Sequence, residues 1–156
     1  MRLLTVGKTD AGWVREGLEV YASRLRRYVP FALHELPELK NAASLGRAQI
    51  REKEGELILG STKPADRVLL LDEHGKEFRS VEFAKELEGM AALGGGKDLV
   101  FVIGGAYGFS DAVYARCDGK ISLSRMTFPH QMVRVIFLEQ LYRAFTIIKG
   151  EPYHHE

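Results

Sequence analysis

The chain is short of the features that staple a small protein or anchor it in a membrane. Its single cysteine, Cys117, excludes an internal disulfide and has no Cys or His neighbour at metal-ligand spacing. It is expected as a small buried apolar side chain. Unbroken apolar runs are too short to span a bilayer, and no charged segment followed by an apolar one opens the sequence. Cytoplasmic residence without a membrane partner is therefore expected. Neither sign of charge is in excess: 22 Lys and Arg against 21 Asp and Glu give a formal net charge of +1. That balance neither supports nor excludes a nucleic-acid partner, because binding needs a local patch. No internal repeat is visible, and only Gly94-Gly95-Gly96 is low in complexity. The rest is ordinary for a globular protein, 46% hydrophobic and 28% charged. A chain of 156 residues builds one core but scarcely two, so residues 1–156 are expected to form a single domain.

Apolar periodicity alternates between strand and helix. Leu3, Leu4 and Val6 predict a first strand, with a turn at Gly7 to Asp10 and Asp10 as an N-cap. Val14, Leu18, Tyr21, Ala22 and Leu25 then fall on one helical face. Pro30 stops that helix, Phe31 to Leu36 alternates like a half-buried strand, and the polar segment from Pro37 to Gln49 predicts a mobile loop. A charged helix is expected from about Gln49 to Leu59. Arg67 to Leu71 forms a strand buried on both faces, followed by a turn at Asp72 to Lys76. Ser80 to Leu93 is an amphipathic helix capped by Ser80 and stopped by the triple glycine. A strand at Leu99 to Ile103, a short helix at Ser110 to Ala115, a strand at Lys120 to Leu123 and a helix at Gln131 to Lys149 complete the order. This pattern predicts an α/β fold: a mostly parallel sheet of five or six strands with helices on both faces.

In an open parallel sheet, ligands bind beyond the carboxyl ends of the strands. Three such ends here carry unusual residues: Asp72-Glu73-His74-Gly75, Gly104-Gly105-Ala106-Tyr107-Gly108, and Ser122 to Pro129. Glycines at a strand end let backbone groups approach a ligand. Their spacing is not a dinucleotide fingerprint, so a tight turn and a ligand loop are both open. Gly108-Phe109-Ser110 begins like a nucleophile elbow, but Ala112 replaces the closing glycine, and Ser110 is expected as an N-cap.

In the last helix, twelve of the seventeen residues from Met132 to Ile148 are apolar, so two faces must be buried, in the core or against another subunit. A homodimer is expected. Glu139, Arg143 and Thr146 form the remaining polar stripe. Arg134 stands opposite, either snorkelling to water or reaching a ligand or partner chain. For RNA contact the chain offers Arg24, Arg26 and Arg27 beside Tyr21 and Tyr28, together with Arg47, Arg51 and Lys53. A solvated helix face is the simpler reading of the first group.

Several segments together resemble the RlmH family of small SPOUT-class rRNA methyltransferases. They are Ile103-Gly104-Gly105, Leu123-Ser124-Arg125-Met126-Thr127-Phe128-Pro129-His130, Val133-Arg134-Val135, Glu139 to Ala144 and Pro152-Tyr153-His154-His155-Glu156. The likeness covers essentially the whole chain, including Trp13 and Lys53-Glu54-Gly55-Glu56. It implies methyl transfer from S-adenosylmethionine to N3 of a pseudouridine in a hairpin loop of 23S rRNA, read on the assembled ribosome. A homodimer and a C-terminal trefoil knot are implied too, with no metal. Carried over residue by residue, cofactor contacts fall on Leu71, Gly104, Leu123, Ser124, Arg125, Met126, Thr127 and Phe128. The titratable candidates beside the motif are His130, Tyr153, His154 and His155, with Tyr153 and His154 expected to position substrate or transfer the proton, while Arg134 and Arg143 are expected to hold phosphate or stabilise developing negative charge. Arg143, His155, Arg24 and Arg27 are the expected substrate contacts. His155 departs from the family, since the enterobacterial members have arginine there. A non-catalytic ribosome-binding module and a doubly wound nucleotide-binding enzyme remain the competing classes.

Overall fold

A computed structural model describes residues 1–92 and 97–155; the expected Gly94-Gly95-Gly96 helix stop and the terminal Glu156 lie outside them. Five strands, β1 (Arg2–Val6), β2 (Ala32–Leu36), β3 (Arg67–Glu77), β4 (Leu99–Ile103) and β5 (Gly119–Ser122), form one sheet in the order β2-β1-β4-β3-β5. Every pairing is parallel. Among the described residues there are five helices, α1 (Gly12–Leu25), α2 (Arg47–Gly60), α3 (Ser80–Ala92), α4 (Asp111–Arg116) and α5 (Met132–Ile148), the last following β5. Between β2 and α2 lies a single 3-10 turn, Ala42–Ser44, in the segment expected to be a loop.

The pleat decides which helix covers which face, because alternate residues of a strand point to opposite sides. Leu3, Leu69 and Phe101 pack with α1, α3 and α5 on one face. Leu4, Val68, Leu70, Val100 and Val102 pack with Ile58 of α2 and Val113 of α4 on the other. All five residues of β4 are buried, as a strand covered on both faces requires.

Local chemistry departs from the sequence expectations at several points. The residue preceding α1 is Ala11 rather than Asp10, and no side chain caps it. Ser80 does not cap α3; its hydroxyl reaches Gln140 at 3.4 Å, while Glu82 accepts from the Arg79 amide at 2.9 Å. Ser110 does cap α4, accepting from the Val113 amide. Cys117 is half-buried rather than buried, its thiol donating to the Tyr114 carbonyl at 3.2 Å. Thr146, expected on the polar stripe of α5, is fully buried and donates to the Arg143 carbonyl at 2.7 Å.

The largest difference is in β3. Residues 72–76 were expected to turn, yet the strand runs on to Glu77 with an irregularity, so that Leu71 and Lys76 both register with Ile121. Gly75 makes this possible. A Cβ there would lie 2.5 to 2.7 Å from backbone atoms of Ile121 and Lys120, a separation no side chain tolerates. The extra loop of β3 thereby leans over β5 at the carboxyl edge of the sheet.

Candidate active site

The carboxyl ends of β3, β4 and β5 are adjacent in this strand order, and the segments leaving them enclose a cavity of about 730 Å³. Leu71, Asp72 and His74 come from β3, the loop from Gly104 to Phe109 follows β4, Ser122 ends β5, and Leu123, Ser124, Met126 and Thr127 follow it. Arg47 and Arg51 of α2 and Tyr114 of α4 form part of the rim. All three strand ends singled out from the sequence meet here.

Glycine shapes the β4 side. A Cβ on Gly104 would stand 3.0 Å from the Phe109 ring, and one on Gly105 would stand 2.5 to 2.9 Å from the Glu54 carboxyl group. Gly108, at φ +77°, completes the turn, its amide donating to the Gly105 carbonyl at 3.3 Å. On the β5 side, Ser122 Oγ donates to the Ser124 carbonyl at 3.1 Å and Ser124 Oγ accepts from the Met126 amide at 3.0 Å. Short side-chain bonds thus hold an irregular backbone in place, leaving main-chain groups for a ligand.

The electrostatics are mixed. Burial pushes the Asp72 carboxyl up, but the Tyr114 hydroxyl at 2.6 Å, the His74 amide at 2.8 Å and the Lys120 charge outweigh it and hold the group below the usual range. Tyr114 is correspondingly pushed up to about 12, first by burial and then by Asp72. Burial also raises Glu54, behind the glycine loop. The Arg47 guanidinium lies 5.6 Å from the Tyr107 ring centroid.

Seven of the eight residues expected to touch a cofactor line the cavity: Leu71, Gly104, Leu123, Ser124, Met126, Thr127 and Phe128. Arg125 does not; its side chain is 89% exposed and pairs with Glu77 at 3.0 Å. His130 lines the cavity as well. Arg134 is not among the residues that line the cavity, and it does not snorkel to water. It is 1% exposed, donates to the Val6 carbonyl at 2.7 Å and Thr9 Oγ1 at 2.9 Å, and faces Glu35 at 3.7 Å. Desolvation lowers its pKa and Glu35 opposes that.

The remaining candidates form a second cluster on α5. Arg143 pairs with Glu139 at 2.5 Å and donates to His154 Nδ1 at 3.2 Å. Its guanidinium lies 4.9 Å from the centroid of the Tyr153 ring. Tyr153 donates to Glu139 at 3.1 Å and meets Tyr142 edge-on at 4.7 Å. Burial, with Tyr21 and Glu139, raises the Tyr153 phenol, so it is a donor here. The Glu139 pairing similarly raises Arg143. Arg24 lies 5.6 Å from the Tyr21 ring and 5.5 Å from the Tyr142 ring, while Arg27 and His155 are exposed. None of these tail-cluster residues lines the cavity of the same chain. Asp72, His74 and Tyr107 belong to strand-end segments that the sequence marks without giving these residues a role, Tyr114 carries no such mark, and Arg47 and Arg51 were expected only to contact RNA. The i,i+4 spacing of the two arginines and the tyrosine inside the glycine loop were the available signals.

Among the described residues no group of His, Cys, Asp or Glu is placed to hold a metal ion, and no helix is long and apolar enough to cross a membrane. Residues 1–154 match the family described as "Predicted SPOUT methyltransferase". The ribosomal RNA large subunit methyltransferase H of Parabacteroides distasonis is 54% identical over 154 residues, covering 99% of this chain and 98% of its own. That of Flavobacterium johnsoniae is 50% identical over 156 residues, covering 100% and 99%. Among solved structures, the SpoU methyltransferase AviRb from Streptomyces viridochromogenes in complex with AdoMet gives a TM-score of 0.47 at 13% identity, covering 97% of this chain and 59% of that one. The chain belongs to the SPOUT methyltransferases and, within them, to the family of ribosomal RNA large subunit methyltransferase H.

Proposed function

We propose that this protein is an S-adenosylmethionine-dependent methyltransferase that modifies N3 of a pseudouridine in a hairpin loop of 23S rRNA, on the assembled ribosome in the cytoplasm. The observation that carries the reading is the convergence of seven expected cofactor residues on one cavity at the strand ends, in a chain of this family. The fit is chemical as well as spatial: glycine close approaches and the backbone from Leu123 to Phe128 offer main-chain groups to an adenosine, and the carboxyl groups of Asp72, Glu73 and Asp111 at the lining suit a cationic ligand. When bound, S-adenosylmethionine supplies an already activated methyl group.

The protein then has three tasks: to align the nucleophilic nitrogen, to exclude water, and to remove or accommodate the N3 proton. His130 stands at the cavity and Tyr153 and His154 on the tail. Tyr153, held protonated, positions substrate or donates to it, and Arg143 holds His154 and Tyr153 in place. Arg24, Arg27 and His155 contact RNA. Arg134 serves the site from within the core, fixing the carboxyl end of β1. A homodimer, in which one chain's tail completes its partner's cavity, accounts for the separation of the two clusters. Exposed apolar residues support it: Trp13 at 58%, Val20 at 45% and Met132 at 38%, on α1 and α5. A C-terminal trefoil knot is the expected form of the cofactor pocket. The nearly neutral charge gives little non-specific grip on naked RNA, which favours a ribosomal substrate.

The test is transfer of labelled methyl from S-adenosylmethionine to ribosomes bearing the unmodified pseudouridine. Incorporation into large-subunit rRNA is expected. Ribosome binding without incorporation, and without calorimetric binding of the methyl donor, would replace this reading with that of a binding module.

A further inference from the structure

We propose that the carboxylate of Glu54, packed behind Gly105, makes the cavity charge-selective, favouring the cationic sulfonium of S-adenosylmethionine over the neutral sulfide left after transfer. The inference rests on the cofactor reading above and assigns Glu54 a specificity role in it.

The contact is built by two glycines. A Cβ on Gly55 would collide with Ser110 Oγ, so the helix α2 approaches α4 closely at this turn. A Cβ on Gly105 would lie 2.5, 2.7 and 2.9 Å from Glu54 Oε2, Oε1 and Cδ. The carboxyl group therefore sits directly against Gly105, which lines the cavity, while Glu54 itself does not. Its Oε2 is buried without a hydrogen-bond partner, and among the described residues no cation pairs with it. Burial alone accounts for its raised pKa. A carboxylate in that position is under-compensated within the protein and is stabilised by positive charge arriving across the loop.

The acids that do line the cavity are poorly suited to this task. Asp72 already accepts from Tyr114 and the His74 amide, and Glu73 and Asp111 are exposed, where water screens them. Arg47 and Arg51 are exposed at the rim and screened likewise. Transfer of the methyl group removes the sulfonium charge but leaves the rest of the molecule unchanged. The attraction to Glu54 then disappears, which helps product leave.

The experiment is calorimetric affinity for S-adenosylmethionine and for its demethylated product, in the wild type, E54Q and E54D. E54Q, isosteric and neutral, is expected to lower the preference for the methylated form about tenfold, the scale of two charges interacting through a partly shielded interior. Product affinity should move less than about twofold by the same argument, and E54D should retain most of the preference. An E54Q ratio equal to the wild type's, or equal weakening of both ligands, overturns the proposal. If E54Q does not fold, wild-type protein is compared with an analogue carrying an amine in place of the sulfonium and with its neutral carbon isostere. A preference for the cation supports the proposal and equal affinity refutes it. Wild-type protein that binds none of these ligands would instead refute the cofactor reading.

Discussion

Replacing Arg134 with methionine tests whether this residue acts on the reaction or on the fold. The side chain is 1% exposed and donates two charge-assisted hydrogen bonds, to the Val6 carbonyl and to Thr9 Oγ1. Thr9 in turn donates its hydroxyl and its amide to Glu35. Methionine keeps most of the buried stem and deletes the donors. Each such bond is worth about 1.5–3 kcal/mol, whereas the Glu35 pair adds little, because that carboxylate is 35% exposed and screened. A net loss of about 3 kcal/mol follows, allowing for partial hydration of the freed groups. For a chain of this size it corresponds to a fall in Tm of roughly 10 °C, read by thermal denaturation followed by circular dichroism. Cofactor affinity should weaken along with it, since Val133 beside Arg134 lines the cavity. Unchanged Tm combined with lost turnover would refute the structural assignment and return Arg134 to the reaction.

Other perturbations probe the remaining parts. Gly75→Ala forces a Cβ into the backbone of Ile121 and Lys120; a loss of about 3 kcal/mol in urea denaturation and weakened binding of the methyl donor are expected, and wild-type behaviour would deny that this close approach shapes the cavity wall. Tyr114→Phe removes the hydroxyl that helps hold Asp72 low. Because a depressed carboxyl pKa contributes stability above its unfolded value and loses it as pH falls through the folded one, the variant should be less stable by about 1 kcal/mol at neutral pH. That gap should shrink in acid below roughly pH 4, and a gap independent of pH would contradict the assignment. Tyr153→Phe and His154→Ala should lower kcat far more than they weaken cofactor binding, measured by steady-state kinetics beside calorimetry; unchanged kcat in both removes the tail from the reaction.

The parts of this molecule legible in its sequence are those whose cause is local. The apolar run from Leu99 to Ile103 was recognisable as a strand, and all five of its residues are buried; its place between β1 and β3 follows from pairing that the run itself does not specify. Ser110 was recognisable as a cap because capping is a matter of three residues. The continuation of β3 was not, since Asp72 to Lys76 are polar and read as a turn; what returns the strand to the sheet is backbone pairing of Lys76 and Glu77 to β5, permitted by Gly75 fitting against a segment 46 positions away. Arg134 was unreadable for the same reason. Its partners Val6, Thr9 and Glu35 are fixed by the sheet order and not by neighbours in sequence. Residues of the cavity were marked by the glycines and the Leu123 to Phe128 run. Glu54 was marked only as part of Lys53-Glu54-Gly55-Glu56 in the family likeness, with no role until the fold set it against Gly105.

The most direct measurement is mass-spectrometric mapping of 23S rRNA after purified protein and S-adenosylmethionine are incubated with ribosomes that carry the unmethylated pseudouridine. The account predicts a single new methyl group on N3 of a pseudouridine in a large-subunit hairpin loop, absent when the protein or the methyl donor is omitted. A methyl group on a ribose hydroxyl or on a different base, or none at all on ribosomes that the protein demonstrably binds, would contradict it.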